Sequence, residues 1–151
     1  MSAPSNRPKV GVGVLLFNDA GHLLLGQRKG AHGEDTWGPP GGHLEFGETL
    51  EGCASRELLE ETGVRAQDFT FLGLTNDVFE EEGKHYISLF MRADLPPGQE
   101  IVNCEPHKTH AWQWFAPDAL PENLFLPLAS FMAKKVYGAP ADGLPFNCNP
   151  A

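Results

Sequence analysis

GGHLEFGETLEGCASRELLEETGV, residues Gly41 to Val64, is the stretch from which the fold and chemistry of this chain can be worked out. It runs as a glycine-rich turn, a helix and a glycine-terminated exit. Thr49 fits an N-cap, since a hydroxyl there accepts a hydrogen bond from an orphan N–H of the first turn. Glu51 follows within that turn, where the helix dipole favours negative charge. Gly63 supplies the left-handed residue that ends a helix, and Val64 folds back on the last turn.

The helix between these caps carries a conflict. At ~100° per residue, Leu50, Cys53 and Ala54 share one face, with Leu58 at its edge. The same face carried forward meets Glu57 and Glu61 near its middle and Glu60 beside it, because residues three and four apart are neighbours. Carboxylates are thus aimed where a packing helix wants aliphatics. Burying them unpaired is costly, so the cluster needs cations: Arg56, a metal, or both. Like charges this close raise one another's pKa unless a divalent ion offsets the repulsion. A solvated acidic face paired with Arg56 is the plainer alternative. The caps, the phase of the glutamates and the preceding glycines favour a cation site.

Gly42, Glu48 after five residues, Arg56-Glu57 after seven more, then Leu58, Glu60, Glu61, Gly63 and Val64 match the Nudix box at every position. Chance coincidence by composition is on the order of 10⁻⁸. The resemblance extends beyond the box, to VGVGVLLF (10–17), LLLGQRKG (23–30), HYISLFM (85–91) and the Trp112-Gln113-Trp114 pattern. Together these look like a MutT-type nucleoside triphosphate diphosphatase, with particular similarity to the branch acting on dCTP-like and thiopurine nucleotides. The resemblance implies an α/β/α sandwich around a mixed sheet and suggests a homodimer. It also implies a Gly41 carbonyl contact to metal and an acidic residue from a later loop acting as further ligand or base. Glu105 is the best-placed match for that residue, with Glu100 and Glu82 in reserve. Composition and patterning alone support only an α/β or α+β fold.

With 151 residues the chain suits one domain, large enough to bury ~70% of its unfolded surface. Its 41% hydrophobic and 21% charged residues are ordinary for a globular protein. No apolar run approaches a membrane span, and no leader pattern marks secretion. Cys53, Cys104 and Cys148 lack metal-ligand spacing and fit reduced thiols in a cytoplasm, with Cys53 a small core residue. A net charge of −9 argues against duplex nucleic acid as partner. An acidic protein that binds a polyphosphate needs local cations, and clustered carboxylates recruit them as Mg²⁺, with Mn²⁺ as an alternative.

Residues 1–8 read as a flexible tail, 9–138 as a single domain and 139–151 as a proline-rich C-terminal tail. Lys9 to Phe17 and His22 to Arg28 read as strands joined by an Asn18–Gly21 turn. Arg28 ends the second strand, either facing phosphate or in a surface ion pair, while Lys29 is expected to be solvated. Gly30 to Gly38 is loop by composition, with Trp37 a packing residue. His43 has no spaced partner for metal binding, so a substrate-loop contact or a surface position is expected. Phe69–Phe79 and His85–Ala93 read as strands around a solvated Glu80–Glu82 tip. Tyr86, Ser88 and Phe90 share one face of the second, opposite to His85, Ile87, Leu89 and Met91. One face is expected to line the core and the other to border the nucleotide or a partner subunit, and the sequence alone does not choose between them. Thr109–Phe115 is a further strand whose tryptophans share a face, and Pro117–Leu120 suggests a short helical turn. Pro127 fits the first turn of a closing helix with a Leu128, Phe131, Met132, Val136 stripe stopped by Gly138.

The expected chemistry is metal-dependent cleavage of a phosphoanhydride in a nucleotide substrate. Glu57 and Glu61 are the principal metal ligands and Glu60 shares that role, while Arg56 orients the carboxylates and Glu48 steadies the loop. The expected products are a nucleoside monophosphate and diphosphate. Two alternatives are a diphosphatase for a nucleotide sugar, dinucleoside polyphosphate or dihydroneopterin triphosphate, and a catalytically silent nucleotide-binding module.

Overall fold

The first strand, β1 (Lys9–Phe17), is shared between two sets of partners, and this opens the cleft that holds the candidate site. A computed structural model describes residues 6–138; residues 1–5 and the expected C-terminal tail with Cys148 lie outside the described residues. Along one edge β1 runs parallel to β6 (Lys84–Asp94), from Lys9 opposite Tyr86 to Phe17 opposite Asp94. Along the other edge its last residue pairs with β2 (Leu23–Arg28), while Gly11–Gly13 pair with β4 (Gly41–His43). β2 diverges from β1 to pair with β3 (Trp37–Gly38) and β7 (Thr109–Phe115). β5 (Thr70–Phe79) lies antiparallel outside β6.

Alternation along β1 builds both cores. Val12, Val14 and Leu16 point to one side, where they meet Cys53, Ala54 and Leu58 of helix α1 (Leu50–Thr62). Leu15 and Phe17 point to the other, packing with Leu128 and Phe131 of helix α2 (Leu126–Met132). A strand buried on both faces needs a near-continuous apolar run, which VLLF supplies. The result is a mixed sheet between helices, the expected α/β/α sandwich.

Local signals placed most elements. Asn18 Oδ1 accepts from the Ala20 and His22 N–H groups (3.0 and 2.9 Å), and Gly21 takes φ 76°, closing the first hairpin. Thr49 Oγ1 accepts from Gly52 N at 2.9 Å, and Gly63 takes φ 74° with its N–H on Leu59 O, so α1 begins and ends where its caps indicate.

Four expectations change. Gly41–His43 is a strand rather than a turn, and Trp37–Gly38 is a short strand inside the expected loop; both gain pairing only from distant segments. Helix α2 ends at Met132, because Lys134 adopts φ 64°; Val136 still packs on the core from outside the helix. Glu82 is not simply solvated at its hairpin tip: it meets His32 Nδ1 at 2.7 Å, fifty residues away in sequence.

Candidate functional site

The caps of α1 fix where it begins and ends, and the packing of Cys53, Ala54 and Leu58 against β1 sets which face it turns to the sheet. Cys53, Ala54, Leu58 and Thr62 are buried on the packing face, so Glu57 and Glu61, between them in phase, are carried inward toward β4. Only 12% of the Glu57 side chain is exposed. A Cβ at Gly42 would overlap the Glu57 carboxylate, so any other residue here would displace that side chain. The Gly41 N–H donates to Glu61 Oε2 at 3.4 Å.

Arg56 organises the outer part of this cluster. Its Nε and Nη2 donate to the two oxygens of Glu48 (2.7 and 3.1 Å), Nη1 donates to Glu57 Oε1 (2.8 Å), and Nη2 also reaches the His43 carbonyl (3.1 Å). Hydrogen bonds from Arg56 hold Glu48 down to about 2. Glu60 lies on the outside of the cluster, with half of its side chain exposed and Nη1 of Arg56 3.4 Å away.

The inner carboxylates behave oppositely. Burial, reinforced by Glu57 and then by Glu105, pushes Glu61 up to about 8, although the Gly41 N–H bond and the Arg28 charge oppose the rise. Glu57 is also raised, chiefly by burial, against the pull of Arg56. Glu105 belongs to the same electrostatic cluster despite a sequence separation of 44 from Glu61. Its Oε2 pairs with Lys108 Nζ at 3.2 Å, whereas Oε1 is buried without a partner. Two burial-stressed carboxylates, with the charge of Glu105 felt at Glu61, are what a hard divalent cation compensates, so the oxygen chemistry of Glu57 and Glu61 suits one. Among the described residues no group of three or more His, Cys, Asp or Glu side chains stands close enough together to hold a metal ion as placed.

Two pockets meet at this cluster. The carboxylate-bearing one is lined by Glu57, Glu61, Lys29, Lys108 and Trp112, among others. The second is lined by His32, Tyr86, Ser88, Phe90 and Phe125. Arg28, Pro39, Gly41, Gly42 and His43 form the wall common to both. In the second pocket His32 stacks on Tyr86 (5.1 Å between centroids) and meets Phe125 edge-on (5.4 Å). Burial lowers the His32 pKa, opposed by the 2.7 Å hydrogen bond between its Nδ1 and Glu82 Oε1. His43 is lowered by burial and by the nearby Lys9, and its Nε2 shares a 3.1 Å hydrogen bond with the Tyr86 hydroxyl. Arg28 is anchored at the junction: its Nε donates to His32 O (3.1 Å) and its guanidinium lies 4.0 Å over the Phe125 ring.

These positions answer questions the sequence left open. The Tyr86-Ser88-Phe90 face borders the second pocket, while Leu89 and Met91 pack on the α1 side. Arg28 is not in a surface ion pair, and Trp37 packs edge-on against Phe115 (5.2 Å). Lys29 is exposed yet lines the carboxylate pocket, and Glu100 is simply exposed. Sequence reasoning missed His32, Phe125 and Lys108. His32 and Phe125 sit in stretches without periodicity, and no local signal marks them; Lys108 was visible only as a cation three residues after Glu105.

A model of the NUDIX domain matches residues 7–136. The chain belongs to the Nudix hydrolase family. Members of this family act on phosphoanhydride bonds of nucleotide compounds. This Nudix chain is 32% identical over 108 residues to the oxidized purine nucleoside triphosphate hydrolase of Danio rerio, a match covering 72% of the chain and 67% of the relative. It is 36% identical over 118 residues to an RNA pyrophosphohydrolase of Caulobacter vibrioides, covering 75% of the chain and 58% of the relative. It spans about half the length of a Xenopus laevis m7GpppN-mRNA hydrolase, with 31% identity over 150 residues and 93% of the chain covered. Among solved structures, the MutT Nudix hydrolase of Burkholderia pseudomallei superposes with a TM-score of 0.72 at 34% identity, covering 78% of this chain and 90% of that one. Among the described residues no helix is long and apolar enough to cross a membrane.

Proposed function

We propose that this Nudix chain hydrolyses a nucleoside or deoxynucleoside triphosphate to the monophosphate and diphosphate, with Mg²⁺ as the working cation and Mn²⁺ able to replace it. The observation that carries this is the shared wall. A cluster of cation-hungry carboxylates and an aromatic pocket open onto one another across Arg28, Gly41, Gly42 and His43. A planar base fits the aromatic side, and a phosphate chain bridges to the acidic side.

Glu57 and Glu61 are assigned as cation ligands, with Glu60 and the Gly41 carbonyl contributing. A bound cation supplies charge neutralisation on the phosphates and a more acidic water. Arg56 fixes the Glu57 rotamer through the 2.8 Å bond, and Glu48 fixes Arg56. Arg28 binds the phosphate nearest the nucleoside, while His43 and Tyr86 close the junction. Glu105 is assigned as the general base, its unpartnered Oε1 taking the proton of the attacking water. The water oxygen bonds to phosphorus, one bridging P–O bond breaks, and the departing phosphate keeps that bond's electrons.

Several points support a reducing, cytoplasmic setting and one catalytic unit across residues 9–138. Cys53 and Cys104 are free thiols, and burial raises the Cys53 pKa to about 12, which leaves it an inert core residue. A homodimer follows from family likeness and is tested by sedimentation. The relatives named as RNA pyrophosphohydrolases favour a second substrate, an RNA 5′-triphosphate; the −9 net charge disfavours contact with an extended RNA backbone.

The test is product release across a panel of nucleoside triphosphates, a nucleotide sugar, a dinucleoside polyphosphate and a 5′-triphosphate RNA, each with and without MgCl₂. Magnesium-dependent release of diphosphate from one or more triphosphates is expected. Turnover of only the sugar nucleotide or the dinucleotide, or of nothing, refutes the proposal.

A further inference from the structure

We propose that Lys29 and Lys108 form a subsite for the terminal phosphate of a triphosphate, which makes this protein select nucleotides with three phosphates over those with two. This rests on the nucleotide reaction above and adds phosphate-chain length to it. Both lysines line the carboxylate-bearing pocket and neither lines the aromatic one. A nucleotide with its base on the aromatic side passes the shared wall at Arg28, so its distal phosphates enter the part of the cleft where the lysines stand.

The backbone holds the two residues side by side. The Lys29 N–H donates to Lys108 O at 2.8 Å, next to the Arg28–Thr109 register pair that joins the end of β2 to the start of β7. Each ammonium carries three donors and spends one. Lys29 Nζ reaches Pro106 O at 2.9 Å, and Lys108 Nζ reaches Glu105 Oε2 at 3.2 Å. Two donors remain on each. The Lys108 side chain is 61% exposed, so a ligand can reach it.

Charge balance points the same way. A triphosphate brings about one more negative charge than a diphosphate into a cleft that already contains Glu45, Glu57 and Glu61. Arg28 is committed to the junction by Phe125 and His32, leaving the lysines to meet the added charge. The ordinary alternative is a pair of solvated lysines. It predicts no dependence on phosphate number.

The experiment uses K29Q, the K29Q/K108Q double variant and the conservative K29R/K108R. Calorimetric titration in MgCl₂ employs a methylene-bridged, non-hydrolysable nucleoside triphosphate analogue and its diphosphate counterpart. The double variant is expected to bind the triphosphate analogue at least about tenfold more weakly and the diphosphate within about threefold of wild type. The arginine pair should restore the triphosphate affinity. In turnover, K29Q should raise KM, whereas K108Q also disturbs Glu105 and should raise KM and lower kcat together. If the double variant does not fold, K29Q alone carries the comparison. Equal weakening of both analogues, or none, overturns the subsite. A wild-type protein that hydrolyses no nucleotide yet shows lysine-dependent preference for three phosphates refutes the reaction and keeps the subsite. One that turns over triphosphates with no lysine discrimination refutes only the subsite, and one that binds neither analogue refutes both.

Discussion

Replacing Glu61 by Gln separates what this residue costs the fold from what it gives the site. The carboxyl is raised from an ordinary 4.5 to about 8, with burial the largest cause and Glu57 the next. A raised acid is neutral in the folded protein while already ionised in the unfolded chain, so stability falls as pH rises from about 4.5 through 8 and is level above that. At ~1.4 kcal/mol per unit, the loss is on the order of 3–5 kcal/mol. Glutamine keeps the shape and can still accept from the Gly41 N–H, but it has no charge to bury. Without divalent cation at pH 8.5, Glu61→Gln should therefore melt above wild type by ~5 °C or more, and the gap should close toward pH 5. Cation binding reverses the order of benefit. At a concentration about 100 times Kd it stabilises wild type by ~2.7 kcal/mol, and the variant should gain little. Turnover with MgCl₂ should fall by at least ~10². Thermal melts at pH 5, 7 and 8.5, with EDTA or MgCl₂, test all of this. A variant no more stable than wild type at pH 8.5 in EDTA, or one stabilised equally by magnesium, would refute the reasoning.

Two further substitutions probe the frame of the site. Gly42→Ala places a Cβ on the Glu57 carboxylate and should cut magnesium affinity at least ~10-fold while α1 stays folded, read by magnesium titration alongside circular dichroism. Thr49→Ala removes the acceptor for Gly52 N and should cost ~1 kcal/mol by urea denaturation, with turnover at saturating substrate nearly unchanged.

The chain's own order determined the helix that bears the carboxylates. Thr49 and Gly63 are local devices that work on residues three or four away, so they were legible without any fold. The residues of β1 marked it as a strand, while helices on both sides of the sheet were implied only by the family resemblance and are seen in the two cores that β1 feeds. The inward phase of Glu57 and Glu61 followed from helical spacing against Cys53, Ala54 and Leu58. What these residues meet there was decided elsewhere.

Long-range contact supplied the rest. Gly41–His43 became a strand only because β1 offered it an unpaired edge, and Trp37–Gly38 only because β2 did. Glu105 joined Glu61, and Glu82 captured His32, through separations that no periodicity spans. The aromatic pocket was assembled from β6, from the loop after β2 and from the residue before α2; each fragment reads as an unremarkable loop or core on its own. Hydrogen-bond caps and side-chain phase act over one turn, so sequence reveals them. Burial, charge coupling and shared walls exist only after distant segments have been brought together, and they are what turn a glutamate-rich helix into a place where a cation and a phosphate chain can meet.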